Sequence, residues 1–254
     1  MSVLDKPADY WTKTIIGLPL GSHPLRTLSL DHEEGADANS IPLDQQQFKI
    51  RLANSEGRRE SASLLIKKMY AWRGYVTGAN PDIPNRITLM ADIDGKVIGT
   101  LTIGLDSGAG LLVDALYKDQ IDALRAHHEI VCEFSRLAVD QEIKSKRVLA
   151  SLFHLAYIYA HLIHGATSTV IEVNPRHVLF YKRMLGFEQF GEERMCPRVN
   201  APAVLLRLPF AHPRSEIAKH GGAMSEVPGV RSLYPFFFGP SDEQGITARV
   251  KRGE

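Results

Sequence analysis

Apolar and polar positions alternate through Phe48-Lys49-Ile50-Arg51-Leu52-Ala53, the two-residue period of a strand. Ser55 follows as a helix cap. Residues 55–73 then place Leu64, Leu65, Met69 and Trp72 on one helical face before Gly74 stops the run. Residues 87–93 and 96–105 read as strands joined by Asp94-Gly95, a strong hairpin pair. Residues 113–126 predict one or two short helices, and 129–140 a long strand. The most regular helix spans 144–164 and ends at Gly165. A strand over 169–173 ends at Asn174-Pro175, and a short helix over 176–185 ends at Gly186. Strands over 187–193 and 203–208 complete the series. This alternation predicts an α/β fold, a mixed sheet with helices on its faces.

The regular pattern is confined to 47–210. Residues 1–46 are rich in Gly, Pro, Asp and Ser, and apolar pieces such as Ile15-Ile16-Gly17-Leu18-Pro19 are broken by turn formers. They read as an irregular N-terminal arm. Residues 211–254 are again punctuated by Gly and Pro and form a C-terminal extension. Its cluster at 233–240, Leu233-Tyr234-Pro235-Phe236-Phe237-Phe238-Gly239-Pro240, is too apolar to stay exposed. It is expected to dock on the domain or on another copy, with a lid over a groove as a further option.

Composition narrows the function. The 254 residues are 44% hydrophobic and 23% charged, as in soluble globular proteins. Thirty Lys+Arg against 29 Asp+Glu leave a net charge of +1, which argues against a chain-wide nucleic-acid footprint. No apolar run is long enough to span a bilayer, so no transmembrane segment is expected. Asp5 and Asp9 stand where a secretory leader would be basic and then apolar, so a cytoplasmic location is expected. Cys132 and Cys196 cannot build a Cys-based zinc site by themselves and read as small buried residues. His154, His161 and His164 share a helical stripe but lack the zincin spacing, so no metal is expected.

Two segments resemble a known family. Phe180-Tyr181-Lys182-Arg183-Met184-Leu185-Gly186-Phe187-Glu188 resembles the helix-to-strand corner of the GNAT N-acyltransferase superfamily. Cys132-Glu133-Phe134-Ser135-Arg136-Leu137-Ala138-Val139 carries a Glu-Phe-Ser-Arg core. That core resembles the central strand of the acyl-homoserine-lactone (autoinducer) synthases and of their relatives, the long-chain N-acyl amino acid synthases. Asn174-Pro175-Arg176-His177 and Tyr70-Ala71-Trp72-Arg73-Gly74-Tyr75 are more similar to the latter. The resemblance implies a GNAT-like fold over 47–210, its mixed sheet splayed at a bulge. It also implies long-chain N-acyl amino acid synthesis.

One departure bears on the donor. Ordinary GNAT enzymes hold the coenzyme A pyrophosphate on backbone N–H groups of a Gly-containing loop that opens the helix after the central strand. Here that stretch is Glu142-Ile143-Lys144-Ser145-Lys146-Arg147-Val148, without Gly. Coenzyme A should therefore be a poor donor. Lys144, Lys146 and Arg147 form a local cationic cluster suited to an acidic partner, and the resemblance points to acyl carrier protein. The donor is then its acyl-phosphopantetheine thioester, with no permanently bound cofactor. The alternative is a solvated charged turn.

The implied reaction is attack of an amino acid amine on that thioester. Glu133, inside an apolar strand, is the candidate base, because burial raises a carboxyl's pKa. The alternative is a structural ion pair with Arg136, which a bulge would have to permit. Arg136 is otherwise a candidate fork for the acceptor carboxylate. The oxyanion would meet backbone N–H groups near Leu137 and Ala138. Tyr181 sits where many GNAT enzymes place the acid for the departing thiolate; the alternative is a core aromatic. His177, one turn before it, is a candidate to orient Tyr181 or substrate, against capping or packing. Arg73 and Trp72 are carried over from the autoinducer synthases as substrate-binding residues. Phe153, Ala156, Tyr157, Ala160 and Ile163 either wall an acyl pocket or form plain core. The competing functions are acyl-homoserine-lactone synthesis, coenzyme A-dependent acetylation, and a catalytically silent GNAT-like module that binds acyl carrier protein or lipid. The intact Phe180 to Phe187 corner argues against the first, the missing glycines against the second.

Overall fold

The computed structural model describes residues 14–21, 46–53, 55–72, 74–75, 84–140, 142–143 and 145–252. Arg73 and Lys144 lie outside the described residues. The hairpin at Asp94-Gly95 forms, with φ of 48° and 87° at the two positions, the left-handed pair that a two-residue turn needs. It joins β3 (Arg86–Ile93) to β4 (Lys96–Leu105). The other strands are β1 (Thr14–Pro19), β2 (Gln47–Leu52), β5 (Val131–Val139), β6 (Ser168–Val173), β7 (Glu188–Gln189), β8 (Arg194–Cys196) and β9 (Ala201–Pro209). The sheet runs β1-β2-β3-β4-β5-β6-β9-β7, with β8 also paired to β9. Among the described strand pairs only β5–β6 is parallel.

Helices cover both faces. They are α1 (Glu56–Trp72), α2 (Asp114–Ala126), α3 (Lys146–Tyr157), α4 (Val178–Leu185), α5 (Ala211–His220) and α6 (Pro240–Arg252). Along β5 the side chains alternate: Cys132 and Phe134 join the large cluster under α3, while Val131 joins the cluster around Tyr117 and Ile121 of α2. The stripe of α1 that packs is Ala62, Leu65, Ile66 and Met69. Leu64 and Trp72, expected on that face, are 67% and 65% exposed. The single helix expected over 144–164 widens after α3 into a π-helical turn over Ile158–Ile163, where His161 Nδ1 lies 2.7 Å from the Ala166 carbonyl.

Both arms are more ordered than the sequence predicts. Residues 14–19 form β1 on the sheet edge, because burying Ile16 and Leu20 under the core outweighs the turn formers beside them. Pro19 is tolerated at the end of an edge strand. In the C-terminal extension Leu233, Tyr234, Phe236, Phe237 and Phe238 are all 3% exposed or less. Leu233 N–H donates to the Met184 carbonyl, and the Tyr234 hydroxyl donates to that of Leu185. Phe237 and Phe238 stack on His154 of α3 at 4.8 and 4.9 Å. His154 Nδ1 accepts the Phe238 N–H at 2.9 Å, so Nε2 carries the proton given to Glu243 at 2.7 Å. The extension is thus a second layer on α3 and α4. Residues 233–240 do not line the cavity described below, so the lid option fails.

The central irregularity lies between β4 and β5. Thr100 faces Ala138 and Thr102 faces Ser135, so Arg136 and Leu137 both stand opposite Leu101. Arg136 has a φ of 52° and its carbonyl accepts from Thr100 Oγ1 at 3.0 Å. This is a β-bulge with a non-glycine residue in the left-handed region. β5 pairs with β6 only from Val131 to Glu133. Beyond that the two strands separate, which is the expected splay.

Replacing Phe237 with Ala should lower unfolding free energy by about 3–5 kcal/mol in urea denaturation, as for a buried ring. The exposed Leu64→Ala should change it by about 0.5 kcal/mol or less. Equal effects would contradict a docked extension.

Candidate active site

The splay between β5 and β6 opens a cavity of about 240 Å³. Its walls include Glu133, Ser135, Arg136 and Leu137 of β5, Glu172 of β6, His177 and Tyr181 beside and within α4, and Arg198 before β9. Phe134 and Phe153 line its apolar part. Of the five residues weighed as an acyl wall, Phe153 alone lines this cavity. Five consecutive residues of β5, 133–137, line the cavity, which strict alternation forbids; the bulge accounts for Ser135, Arg136 and Leu137 reaching it together.

Glu133 is 3% exposed. Its Oε2 accepts the Val113 N–H at 3.0 Å, and Arg86 Nη2 donates to Oε1 at 3.3 Å. Burial pushes its pKa up; the N–H groups of Val113 and Leu112, then Arg86 and Arg198, oppose the rise. Gly104 stands opposite in β4, where a Cβ would lie 2.8 Å from Glu133 Cγ and 2.9 Å from Oε1. The glycine supplies the room for the carboxylate. The ion pair weighed between Glu133 and Arg136 does not form; Arg86 takes that place. Arg136 is half-buried and makes no ion pair among the described residues. Burial lowers its pKa, with Tyr70 and Glu133 opposing, and a guanidinium stays charged throughout the working range.

The other expected residues divide. Tyr181 is 8% exposed, edge-on to Phe153, Phe180 and Phe187, and lines the cavity one turn from His177. Leu137 lines the cavity, whereas Ala138 is buried opposite Thr100 and does not. Trp72 points to solvent, away from the lining. Lys146 and Arg147 correct the expected cationic patch. Lys146 Nζ pairs with Glu226 and Arg147 Nη2 donates to the Met224 carbonyl, so both cations are turned onto the chain's own C-terminal extension.

Several lining groups escaped the sequence reading. Glu172 accepts from Arg198 Nη2 at 2.7 Å, while Arg198 Nη1 donates to the Leu112 carbonyl at 2.7 Å. Glu172 interrupts an apolar strand as Glu133 does, so the same anomaly marks it. Arg198, in an irregular segment, carries no such signal. The Tyr75 and Ser135 hydroxyls line the cavity and have no hydrogen-bond partner among the described residues. Burial, followed by Glu172, pushes the Cys196 thiol up, so it is no thiolate nucleophile.

Residues 61–209 match the family model described as N-acyl amino acid synthase FeeM. The chain belongs to that family. It is an N-acyltransferase with a GNAT-like fold. The structure of FeeM, an N-acyl amino acid synthase from uncultured soil microbes, is 27% identical over 67% of this chain and 94% of its own, with a TM-score of 0.62. An N-acetyltransferase from Staphylococcus aureus Mu50 is 13% identical over 65% of this chain and 98% of its own, with a TM-score of 0.45. The AHL synthase LasI is 13% identical over 65% and 90%, with a TM-score of 0.44. No curated protein sequence matches the chain.

In this synthase, Gly104→Ala should displace the Glu133 carboxylate; if Glu133 is the base, kcat falls by about 10²-fold, the usual cost of misplacing a catalytic group by ~1 Å. Unchanged kcat would show that Glu133 needs no such room. Because burial raises the Glu133 pKa, the acid limb of kcat/KM should fall above the ordinary glutamate range. Activity rises with pH through that limb and is lost below it. A limb at about 4.3, the unperturbed value, would contradict the burial argument.

Proposed function

We propose that this synthase moves a long-chain fatty acyl group from the thioester of acyl carrier protein to the amine of an amino acid. The observation that carries the reading is the pairing, in one cavity, of a buried carboxylate with a guanidinium that makes no ion pair among the described residues. Arg136 binds the acceptor's carboxylate as a two-pronged fork. Glu133 takes a proton from the amine, whose nitrogen attacks the thioester carbon. The new C–N bond forms, the C–S bond breaks, and Tyr181 protonates the departing thiolate. The Leu137 N–H faces the oxyanion. His177 orients Tyr181 from one turn away.

Two features favour the carrier protein over coenzyme A as donor. The N-terminus of α3, where a nucleotide diphosphate would need open N–H groups, is closed. Ser145 Oγ accepts the Val148 N–H at 3.4 Å and donates to the Leu20 carbonyl at 2.9 Å, and Val148 and Leu149 are fully buried. The second feature is on α4, whose inner face carries Tyr181. Its outer face presents Leu179, Lys182 and Arg183, all exposed at helical spacing, and Arg176 in the 3-10 turn just before the helix is exposed as well. Lys182 and Arg183 meet no carboxylate among the described residues. A cationic face with one leucine suits an acidic helical carrier protein, and here it replaces the Lys146 and Arg147 cluster. The proposal includes a cytoplasmic setting and no resident cofactor; no described helix is long and apolar enough to cross a membrane.

Purified protein given C12–C16 acyl carrier protein and the twenty amino acids should yield an N-acyl amino acid by mass spectrometry. No new amide with any acceptor would sink the reading. Faster turnover with acyl-coenzyme A would sink the donor argument alone. Lys182→Glu with Arg183→Glu should raise KM for the carrier about tenfold at low salt, with the gap narrowing as salt rises. An unchanged KM would leave the α4 face without this role.

A further inference from the structure

The segment that hydrogen-bonds Glu133 has its own anchor. Leu111, Leu112 and Val113 lie between β4 and α2, and the Val113 N–H reaches Glu133 Oε2 at 3.0 Å. Arg125, near the far end of α2, holds both flanks of this segment. Its Nε and Nη2 donate to Asp106 Oδ2 and Oδ1 at 2.7 and 2.8 Å. Its Nη1 and Nη2 donate to Asp114 Oδ1 and Oδ2 at 2.9 and 2.7 Å. Asp114 Oδ2 also accepts the Leu111 N–H at 2.7 Å. One guanidinium thus binds these two carboxylates through both oxygens of each, and its Nη1 also donates to Asp122 Oδ1 at 2.7 Å.

That contact is unusual for a helix. Eleven residues of straight α-helix rise about 16 Å, far beyond side-chain hydrogen bonding between positions 114 and 125. The reach closes because Tyr117 leaves helical geometry (φ −129°, ψ 35°), so the first turn folds back along the rest of α2. Tyr117 is itself fully buried and pinned, its hydroxyl donating to the Ala203 carbonyl at 2.7 Å. Gly110 completes the fold-back with a φ of 74°, where a Cβ would sit 2.6 Å from Asp114 Oδ2. The kink therefore brings the fork and the Glu133-binding segment into one unit.

We propose that Arg125 is a positioning residue for Glu133: by clamping Asp106 and Asp114 it fixes the 111–113 segment, whose N–H groups hold the base in place. The proposal rests on the base reading of Glu133 given above. The charged and titratable groups around Glu133 are Arg86 from β3, Arg136 and Cys132 from β5, and Arg198 before β9, the last paired with Glu172 of β6. Arg125 touches none of them and does not line the cavity. Its influence must pass through the backbone of 111–113. Losing the clamp weakens hydrogen bonds to the ionised carboxylate, so Glu133 binds its proton more tightly and the acid limb of activity moves to higher pH.

The test compares Arg125→Gln, Arg125→Lys and Asp106→Asn with Asp119→Asn as control. Asp119 pairs with Arg194 elsewhere on α2 and holds nothing near Glu133. The pH profile of kcat/KM and the 13C-carboxyl titration of Glu133, assigned by its absence in Glu133→Gln, are measured on each. Arg125→Gln should lose about tenfold in kcat/KM on the acid limb, the worth of one charge-assisted hydrogen bond, and recover most of it at the high-pH plateau. Its carboxyl titration should move upward with it. Asp106→Asn should move both by less, Arg125→Lys should partly restore them, and Asp119→Asn should leave them in place. An Arg125→Gln protein whose Glu133 titrates as in the wild type overturns the proposal, whatever its stability. If Arg125→Gln does not fold, Asp106→Asn decides on the same readouts. Full activity of Glu133→Gln would instead defeat the base reading; the carboxyl titration would still report whether the clamp holds.

Discussion

A carboxylate buried in a strand must be given room and partners, and much of this fold serves that requirement for Glu133. An unpaired carboxylate there would be too costly to retain. Room comes from Gly104 across the β4–β5 ladder. Partners come from Arg86 on β3 and from the N–H groups entering α2. Those groups do not fully offset the burial, and the remaining imbalance keeps the pKa high. The bulge three residues later turns Arg136 toward the same cavity, though the regular strand would send it away. Glu133 and Arg136 thereby line one opening.

The arms close the start of α3. In this chain the N-terminus of α3 is sealed by β1 and Ser145 from one side, while residues 224–226 hold Lys146 and Arg147 from the other. The same extension stacks two phenylalanines on His154 and grips the end of α4. Packing the extension there stiffens the helix that carries Tyr181. It also leaves α4, not α3, as the exposed cationic helix beside the cavity. The near-neutral net charge conceals this arrangement, because the exposed cations on α4 are balanced by acids elsewhere.

The sequence carried the domain well and the site unevenly. Period, Gly stops and the Asp94-Gly95 pair located most strands and helices from 47 to 210 to within a few residues, because those signals are local; the strand expected over 187–193 shrinks to the two-residue β7, and the short β8 was not expected. The carboxylate in an apolar run marked Glu133, and the Glu-Phe-Ser-Arg and Phe-Tyr segments marked the family. What failed depended on contacts distant in sequence. Lys146 and Arg147 looked free only because Met224 and Glu226 are some eighty residues away. β1 was hidden because an edge strand can be short, glycine-bearing and proline-ended when its neighbour supplies the ladder. Trp72 looked like core, but the helix turns it to solvent at its last residue. Arg86 and Arg198 gave no signal because arginines at strand starts and in irregular segments have no period to violate; Arg125 reads as an ordinary helix-end cation until the kink at Tyr117 brings Asp114 to it.

The most direct test is a structure of the protein with an N-acyl amino acid bound. The account predicts the amide nitrogen within about 2.6–3.2 Å of the Glu133 carboxylate, or one water away, and the product carboxylate on Arg136. A product seated in the β5–β6 cavity with its carboxylate away from Arg136 and its nitrogen turned from Glu133 would contradict it.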